Sequence, residues 1–333
     1  MTTNTRVLIA SVPNGPLGTE HFAVDEAAAP DCGDGQVLCR TLALTIGAGQ
    51  RAGLQGSASY AGAPRAGVVM GGTGVARVEA SRAPGFAAGD LVAGPTGWQT
   101  LSVHEPKALR KVAAGADPAL HLGVLGTNGL TAYFGLLDLG RPTSGDTFVV
   151  SAAAGSVGHV VGQIAKLKGC ITIGVAGSAA KCRILVDELG FDAALNYKDG
   201  DFRTTFKEAT PNRIDVYFDN TGGDILGSAL FRMKTHGRIV CCGAVSQYDT
   251  AQPAGSPRGI PGLLVNNRVR MEGFLVFDYA SRYDEARAEL LRWIESGDLV
   301  PRVTEFRGLE SAPKAFVDLL RGDTVGTTIV RVA

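Results

Sequence analysis

The stretch that most limits what this chain can fold into runs from Thr147 to Lys168. Thr147-Phe148-Val149-Val150 is a short run of β-favouring residues, set off by the breaker cluster Pro142-Thr143-Ser144-Gly145. Further on, Val157, Val160, Val161, Ile164 and Ala165 recur at the spacing of one helix face. Gln163, Lys166 and Lys168 fall on the other side. The segment reads strand, tight turn, helix, which is the context a dinucleotide-binding turn requires. Ala153, Gly155 and Gly158 occupy its three small-residue positions. Gly155 lets the backbone approach a pyrophosphate, and Gly158 lets the helix lie close to the sheet. The helix start at Val157 offers amides and partial positive charge to phosphates. Ala153 replaces the usual first glycine and is expected to narrow the turn without closing it.

A second strand, Ile171 to Ala176, follows roughly ~20 residues after the turn, the interval at which an NAD-binding chain carries Asp or Glu for the adenosine 2′-hydroxyl. Here the strand ends in Ala176-Gly177-Ser178-Ala179-Ala180-Lys181. A carboxylate would repel a 2′-phosphate. The amides at Gly177, the Ser178 hydroxyl and the Lys181 ammonium attract one, so the cofactor expected is NADP(H). Ser178 can equally serve as a helix N-cap.

With 333 residues, 45% hydrophobic, 19% charged and a formal net charge of zero, the composition is that of a globular chain of two domains. The charge balance makes nucleic acid and anionic membranes poor partners. No apolar run is long enough to span a bilayer and the start carries no signal pattern, so a cytoplasmic location is expected by default. The six cysteines form no Cys-x-x-Cys pair, and the five histidines are scattered, so no metal site is expected. Cys241 and Cys242 read as core fillers.

Residues 1–125 are rich in Gly, Pro and short β-like runs (Gln36–Leu42, Gly67–Ala76, Asp90–Ala93, Gln99–Val103), which suggests a small barrel-like or sandwich-like domain. From residue 126 to 296, strands and helices alternate: a helix at Lys181–Leu189, strands at Ala193–Tyr197 and Ile214–Phe218, a helix at Gly223–Thr235, strands at Ile239–Ala244 and Val269–Phe277, and a helix at Tyr283–Ser296. Such alternation implies a parallel doubly wound sheet, an α/β fold. Residues 297–333 add strands at Val300–Val303 and Gly326–Val332 around a helix at Pro313–Leu320. Gln252–Gly262, rich in Pro and Gly, reads as a loop and a lid candidate.

Ligands of doubly wound sheets bind beyond the carboxyl ends of the strands. Three polar segments end strands there: Asn196-Tyr197-Lys198, Asp219-Asn220-Thr221-Gly222-Gly223 and Cys242-Gly243-Ala244-Val245-Ser246-Gln247-Tyr248. Gly243 and Ser246 join the cofactor candidates on this ground, and Phe277, at the end of the expected Val269–Phe277 strand, is a further one. No paired carboxylates, Gly-x-Ser-x-Gly elbow or Cys/His arrangement suggests hydrolysis.

Leu122-Gly-Val-Leu-Gly, Gly129-Leu-Thr-Ala-Tyr-Phe-Gly-Leu-Leu, the Ser151 to Gly158 turn, Asn196-Tyr-Lys, Phe218-Asp-Asn-Thr-Gly-Gly, Cys242-Gly-Ala-Val-Ser-Gln-Tyr and Gly94-Pro-Thr-Gly-Trp-Gln together resemble the zinc-independent medium-chain dehydrogenases/reductases. The branch is that of prostaglandin and leukotriene reductases, alkenal double-bond reductases and curcumin reductases. The resemblance covers most of the chain. It implies a GroES-like, β-rich catalytic domain built from 1–125 and 297–333, a Rossmann NADPH-binding domain at 126–296, and hydride transfer from NADPH to an activated C=C of a small-molecule conjugated substrate. It also implies that Lys181, Tyr197 and Asn220 touch the cofactor, that Tyr248 is the active-site tyrosine and Tyr60 a second pocket tyrosine, and that the protein pairs as a homodimer.

The chain also departs from this family. Its Asp-Pro-Tyr-Met-Arg segment is Gly47-Ala48-Gly49-Gln50-Arg51 here, its Met-Pro-Gly becomes Thr127-Asn128-Gly129, and its Asn-x-Gly-Lys becomes Thr324-Val325-Gly326-Thr327. Gly49, Gln50, Arg51 and Asn128 are therefore candidate substrate-pocket residues, in a pocket expected to be roomier and more polar and to suit a bulky conjugated natural product. Two other readings stay open: reductive cyclisation of a polyene or enone, and a crystallin-like NADPH-binding protein without turnover.

Overall fold

The structure, a computed structural model, describes residues 3–58, 63–250, 257 and 259–332. Two compact units emerge: 1–126, 249–251 and 303–333 form the first, 127–248 and 252–302 the second.

The first unit opens with an antiparallel pair, β1 (Thr3–Ile9) and β2 (Phe22–Ala28). The long strand β3 (Val37–Ile46) alternates buried and half-exposed residues, the period of a sheet with one face inward. Helix α1 (Ala48–Gln55) leads to β4 (Gly74–Ser81), β5 (Leu91–Gly94), β6 (Leu101–His104), β7 (Arg110–Val112) and helix α2 (Pro118–Leu122). In its core Trp98 stacks on Phe22 at 5.4 Å between ring centroids and meets Phe316 edge-on at 5.9 Å.

In the second unit α3 (Thr127–Phe134) precedes β8 (Thr147–Ser151), α4 (Gly158–Leu167), β9 (Ile171–Ala176), α5 (Ala179–Arg183) and β10 (Ala193–Asn196). Then come α6 (Phe202–Ala209), β11 (Ile214–Asp219), α7 (Gly223–Leu230), β12 (Met233–Cys241), α8 (Ile260–Asn267), β13 (Arg270–Gly273) and α9 (Tyr283–Glu295). Its six strands are all parallel, in the order β10-β9-β8-β11-β12-β13. The strand order reverses between β8 and β11, which is where a doubly wound sheet opens its ligand crevice. β8 is buried along all five residues, as a strand covered on both faces must be. The chain then returns to the first unit with β14 (Val303–Arg307), α10 (Ala312–Arg321) and β15 (Thr327–Arg331). There the sheet order is β14-β15-β3-β4-β5-β7, with β6 also on β3.

Several boundaries differ from expectation. The helix from Gly223 stops at Leu230, because Met233 is fully buried and pairs with Ile214, drawing the chain into β12. The expected Val269–Phe277 strand keeps only Arg270–Gly273, and Phe277 lies in a 3-10 turn, Val276–Arg282. The strand expected from Gly67 begins at Gly74, and the one expected from Val300 begins at Val303. Residues 297–302 pack with the second unit rather than the first. Gln163 explains this: its side chain donates to the Val300 carbonyl at 3.1 Å and accepts the Val300 N–H at 2.8 Å. Expected to face solvent, Gln163 is buried. Cys241 and Cys242 are half-buried at the end of β12. Of the lid candidate Gln252–Gly262, residues 252–256 and 258 lie outside the described residues, and Ile260–Gly262 begin α8.

Candidate active site

The turn from β8 to α4 is made of small residues under close constraint. Ala152 takes the left-handed conformation, φ 48°, which costs a residue with a Cβ about 1–2 kcal/mol. Its carbonyl accepts the Gly155 N–H at 2.9 Å and closes the corner. A Cβ on Gly158 would stand 2.2 Å from that carbonyl oxygen, so only glycine lets α4 start so close to the strand. A Cβ on Gly155 would meet only the same oxygen, at 3.1 Å, leaving its outer side open to an approaching anion. Ala153 was expected to narrow this turn. Instead it points inward, fully buried, and its N–H donates to Val175 O at 2.9 Å. Gly174 in the neighbouring strand makes room for its methyl: a Cβ there would lie 2.9 Å from Ala153 Cβ. The backbone strain thus falls on Ala152.

Behind the turn sits His159, fully buried. Its Nδ1 is 2.8 Å from Gly155 O and its Nε2 3.3 Å from the Arg302 N–H. A carbonyl can only accept and an amide only donate, so the ring is the neutral tautomer with its proton on Nδ1. Burial pushes its pKa down to about 4. The Gly155 carbonyl also accepts the His159 backbone N–H at 3.1 Å, so this oxygen is held toward the protein, away from the side an anion would use.

At the crossover between β8 and β11, Asp219 ties the edge together. Its carboxylate accepts from Ser151 Oγ (3.1 Å), Tyr217 Oη (3.0 Å), Thr221 N (3.2 Å) and Gly222 N (3.0 Å). Its backbone carbonyl accepts from Cys242 N and Gly243 N. Burial raises the Asp219 pKa above the usual carboxylate value, opposed by these donors. Asn220, next along, donates from Nδ2 to Ser151 O at 2.8 Å, and its carbonyl accepts the Val245 N–H. Ser246 Oγ donates to Thr221 O at 2.6 Å. Asn220, Gly243 and Ser246 are therefore one connected group. Asp219 stands in one of the three expected strand-end segments but was not among the named site candidates; the signal was a carboxylate placed at the end of an apolar strand.

At the end of β9, Ser178 caps α5 and accepts the Lys181 N–H at 3.3 Å, while Gly177 lies 3.2 Å (from its would-be Cβ) below the Tyr197 ring. Lys181 is half-buried and Tyr197 exposed. Val157 is the N-cap of α4. Phe277 is exposed in its 3-10 turn, and Asn128 is half-buried in the first turn of α3. Tyr248 is half-buried, and its Oη accepts the Ala244 N–H at 3.4 Å.

The other pocket candidates lie in the first unit. Gly49 is exposed in α1. Gln50 accepts the Gly47 N–H at 2.8 Å and donates to Gly71 O at 2.7 Å, so its amide caps its own helix. Arg51, 1% exposed, donates from Nε to Asp249 Oδ1 at 2.9 Å and from Nη2 to Gly15 O at 2.6 Å. Asp249 Oδ1 also accepts the Leu17 N–H. Arg51 is thus a structural anchor for the residue that follows Tyr248. Tyr60 lies outside the described residues.

Two family models match the chain, "N-terminal domain of oxidoreductase" over residues 5–112 and "Zinc-binding dehydrogenase" over 156–296. The NADPH-dependent curcumin reductase of Escherichia coli (strain K12) is 39% identical over 335 residues, covering 99% of this chain and 97% of that protein. Prostaglandin reductase 1 of Bos taurus is 39% identical, covering 93% of each. The chain is a zinc-independent medium-chain reductase. The crystal structure of CurA from Vibrio vulnificus in complex with NADPH superimposes on this reductase with a TM-score of 0.94 at 38% identity, covering 99% of both chains. Although one matched model carries zinc in its description, among the described residues of this reductase no three His, Cys, Asp or Glu side chains gather into a ligand set. What the reductase does present is a tight small-residue turn at the start of α4, a glycine-lined strand edge held by Asp219, and a tyrosine hydroxyl beyond the end of β12.

Proposed function

We propose that this protein is an NADPH-dependent reductase that adds hydride to the β-carbon of an α,β-unsaturated carbonyl. The observation that carries the reading is the end of β9, where Gly177, Ser178 and Lys181 stand in place of the acid that selects a 2′-hydroxyl. The residues fit the cofactor: Gly155 and Gly158 are the positions at which a Cβ would obstruct either phosphate approach or helix packing. The relatives' names, curcumin, prostaglandin and 2-alkenal reductase, agree in conjugated substrates. When bound, NADPH supplies the hydride.

The protein's own part is to hold and to neutralise. Gly155, Gly158 and the start of α4 receive the pyrophosphate, and Asn220, Gly243 and Ser246 line the adjoining edge. Negative charge develops on the substrate carbonyl oxygen as the β-carbon is reduced, and a hydroxyl donor is needed there. Tyr248 takes that role and relays the proton to the α-carbon, its own hydroxyl being reprotonated from water, with Tyr60 as the second pocket hydroxyl. Because Gly49 adds no side chain, extended enones are preferred over small alkenals as substrates. A homodimer formed along the outer edge of β13 is the assembly we favour.

The test is NADPH oxidation across a panel of enones graded from small alkenals to extended dienones, with products weighed by mass spectrometry. A gain of two hydrogens with no new ring is expected. A product with an added ring would favour reductive cyclisation, and cofactor binding without oxidation of NADPH by any panel member would leave only a binding protein.

A further inference from the structure

The loop after β10 folds over the end of β9. The Tyr197 N–H donates to Ala176 O at 3.0 Å, which fastens the loop to that strand end. A Cβ built on Gly177 would lie 3.2 Å from Tyr197 Cε1 and 3.5 Å from both Tyr197 Oη and Lys198 Cε. The glycine lets the Tyr197 ring edge settle closely there, with Lys198 in contact beside it. Lys198 Nζ in turn stands 5.8 Å from the centre of the Tyr197 ring, within reach of a cation–π attraction. A hydroxyl and an ammonium thus converge above Gly177, on the spot where an NAD-selecting acid would project. The nearby carboxylate, Asp199, is turned back into its own loop and accepts from Asn196 Nδ2 at 2.6 Å. Lys198 N–H donates to Asn196 Oδ1 at 3.2 Å, which fixes the root of the lysine as well.

We propose that Lys198 is a specificity-determining residue that selects the 2′-phosphate of NADPH over the 2′-hydroxyl of NADH, acting with Lys181. The inference rests on the NADPH reading given above. A phosphate monoester carries about −1.5 to −2 charges at pH 7, so one ammonium leaves it incompletely neutralised. A second one, rooted by its backbone hydrogen bond and laid along the Tyr197 ring, meets the phosphate with less ordering cost than a lysine swinging freely in solvent. Tyr197 contributes a hydroxyl and a platform. Gly177 keeps this space open: a Cβ there would press on the Tyr197 ring edge at 3.2 Å, and a longer side chain would compete with Lys198 for the same place.

The experiment compares wild type, Lys198→Ala, Lys198→Arg and Lys181→Ala with NADPH and NADH against one common enone, and measures binding of adenosine 2′,5′-bisphosphate and of 5′-AMP by calorimetry. Lys198→Ala should raise KM for NADPH roughly 10- to 150-fold, the range of a lost hydrogen bond to a charged group, while KM for NADH moves less than about threefold. It should weaken adenosine 2′,5′-bisphosphate in the same proportion and leave 5′-AMP alone. Lys198→Arg should restore most of the preference. An unchanged NADPH:NADH ratio in Lys198→Ala, while Lys181→Ala collapses it, would overturn the inference and leave the NADPH reading standing. Equal losses with both cofactors would overturn it too, since the loop would then matter only for shape. A wild type indifferent to the 2′-phosphate would bring down the NADPH reading itself.

Discussion

Tyr248 and His159 show how single side chains divide the labour. The Tyr248 hydroxyl accepts the Ala244 N–H, so its own proton is directed elsewhere, and on the proposed function it is the donor to the substrate oxygen. Tyr248→Phe keeps the ring and removes only that donor. Turnover should fall about 10- to 1,000-fold with little change in NADPH affinity, as when an oxyanion donor is removed. Steady-state kinetics with the true substrate checks this, and wild-type turnover would assign the proton to another source. His159 bears on stability instead. It is neutral when folded, with its pKa at about 4 because burial, helped by the charge of Arg302, disfavours the imidazolium. An unfolded chain binds a proton near pH 6.5, so the stability His159 contributes is present above that pH and is lost as pH falls toward about 4. Urea unfolding at pH 7 and pH 4.5 should show wild type losing on the order of 2 kcal/mol more between the two than His159→Gln does.

Among the elements, the junction of β8, α4 and β9 depends on a match of volumes. Ala153 is tolerated where a glycine is usual because Gly174 faces it, and a Cβ at Gly174 would also come within 2.8 Å of Leu185 and 3.2 Å of Phe191. Gly174→Ala should therefore cost about 1–3 kcal/mol, the usual penalty of overpacking. Adding Ala153→Gly should recover part of it, and a thermal-melt double-mutant cycle reads the coupling. Helix α1 poses the opposite case, a buried cation. Arg51→Ala would strip Asp249 of its partner and should destabilise the first unit by about 3 kcal/mol, measured by denaturant unfolding. Elements of this kind were legible in unequal measure. The apolar runs of β8, β9 and β11 announced themselves, because strands covered on both faces have no polar alternation to confuse them. Gln163 did not: its helix periodicity pointed outward, while its partner Val300 lies 137 positions away. Asp219 was hidden for the same reason, since its tie to β8 runs through Ser151, 68 positions away, which only the fold brings near.

For the whole molecule, the glycine turn, the resemblance and the alternation of strands and helices identified the family before any geometry was known, because they are local features. Which chain ends join which unit is not local, and there the boundary near residue 300 shifted. On the outer edge of the parallel sheet, β13 pairs with β12 alone among the described residues. It carries Arg270 and Glu272 two apart, so an antiparallel copy centred on Met271 would set each against its opposite charge. Light scattering at micromolar concentration should therefore find a homodimer, and Arg270→Glu should shift it toward monomer. The seven-stranded sheet has a further consequence. β15 is lodged between β14 and β3, with Ile329 beside Thr45, so the sheet cannot be completed until both have left the ribosome. The second unit, nearly continuous in sequence, is ready to fold first. In the newborn chain β6 can cover Val37–Arg40, but Ala43–Ile46 of β3 must wait bare on that edge while an entire domain assembles before their missing neighbour arrives, and it is during that interval, more than in the finished protein, that this chain is exposed to aggregation.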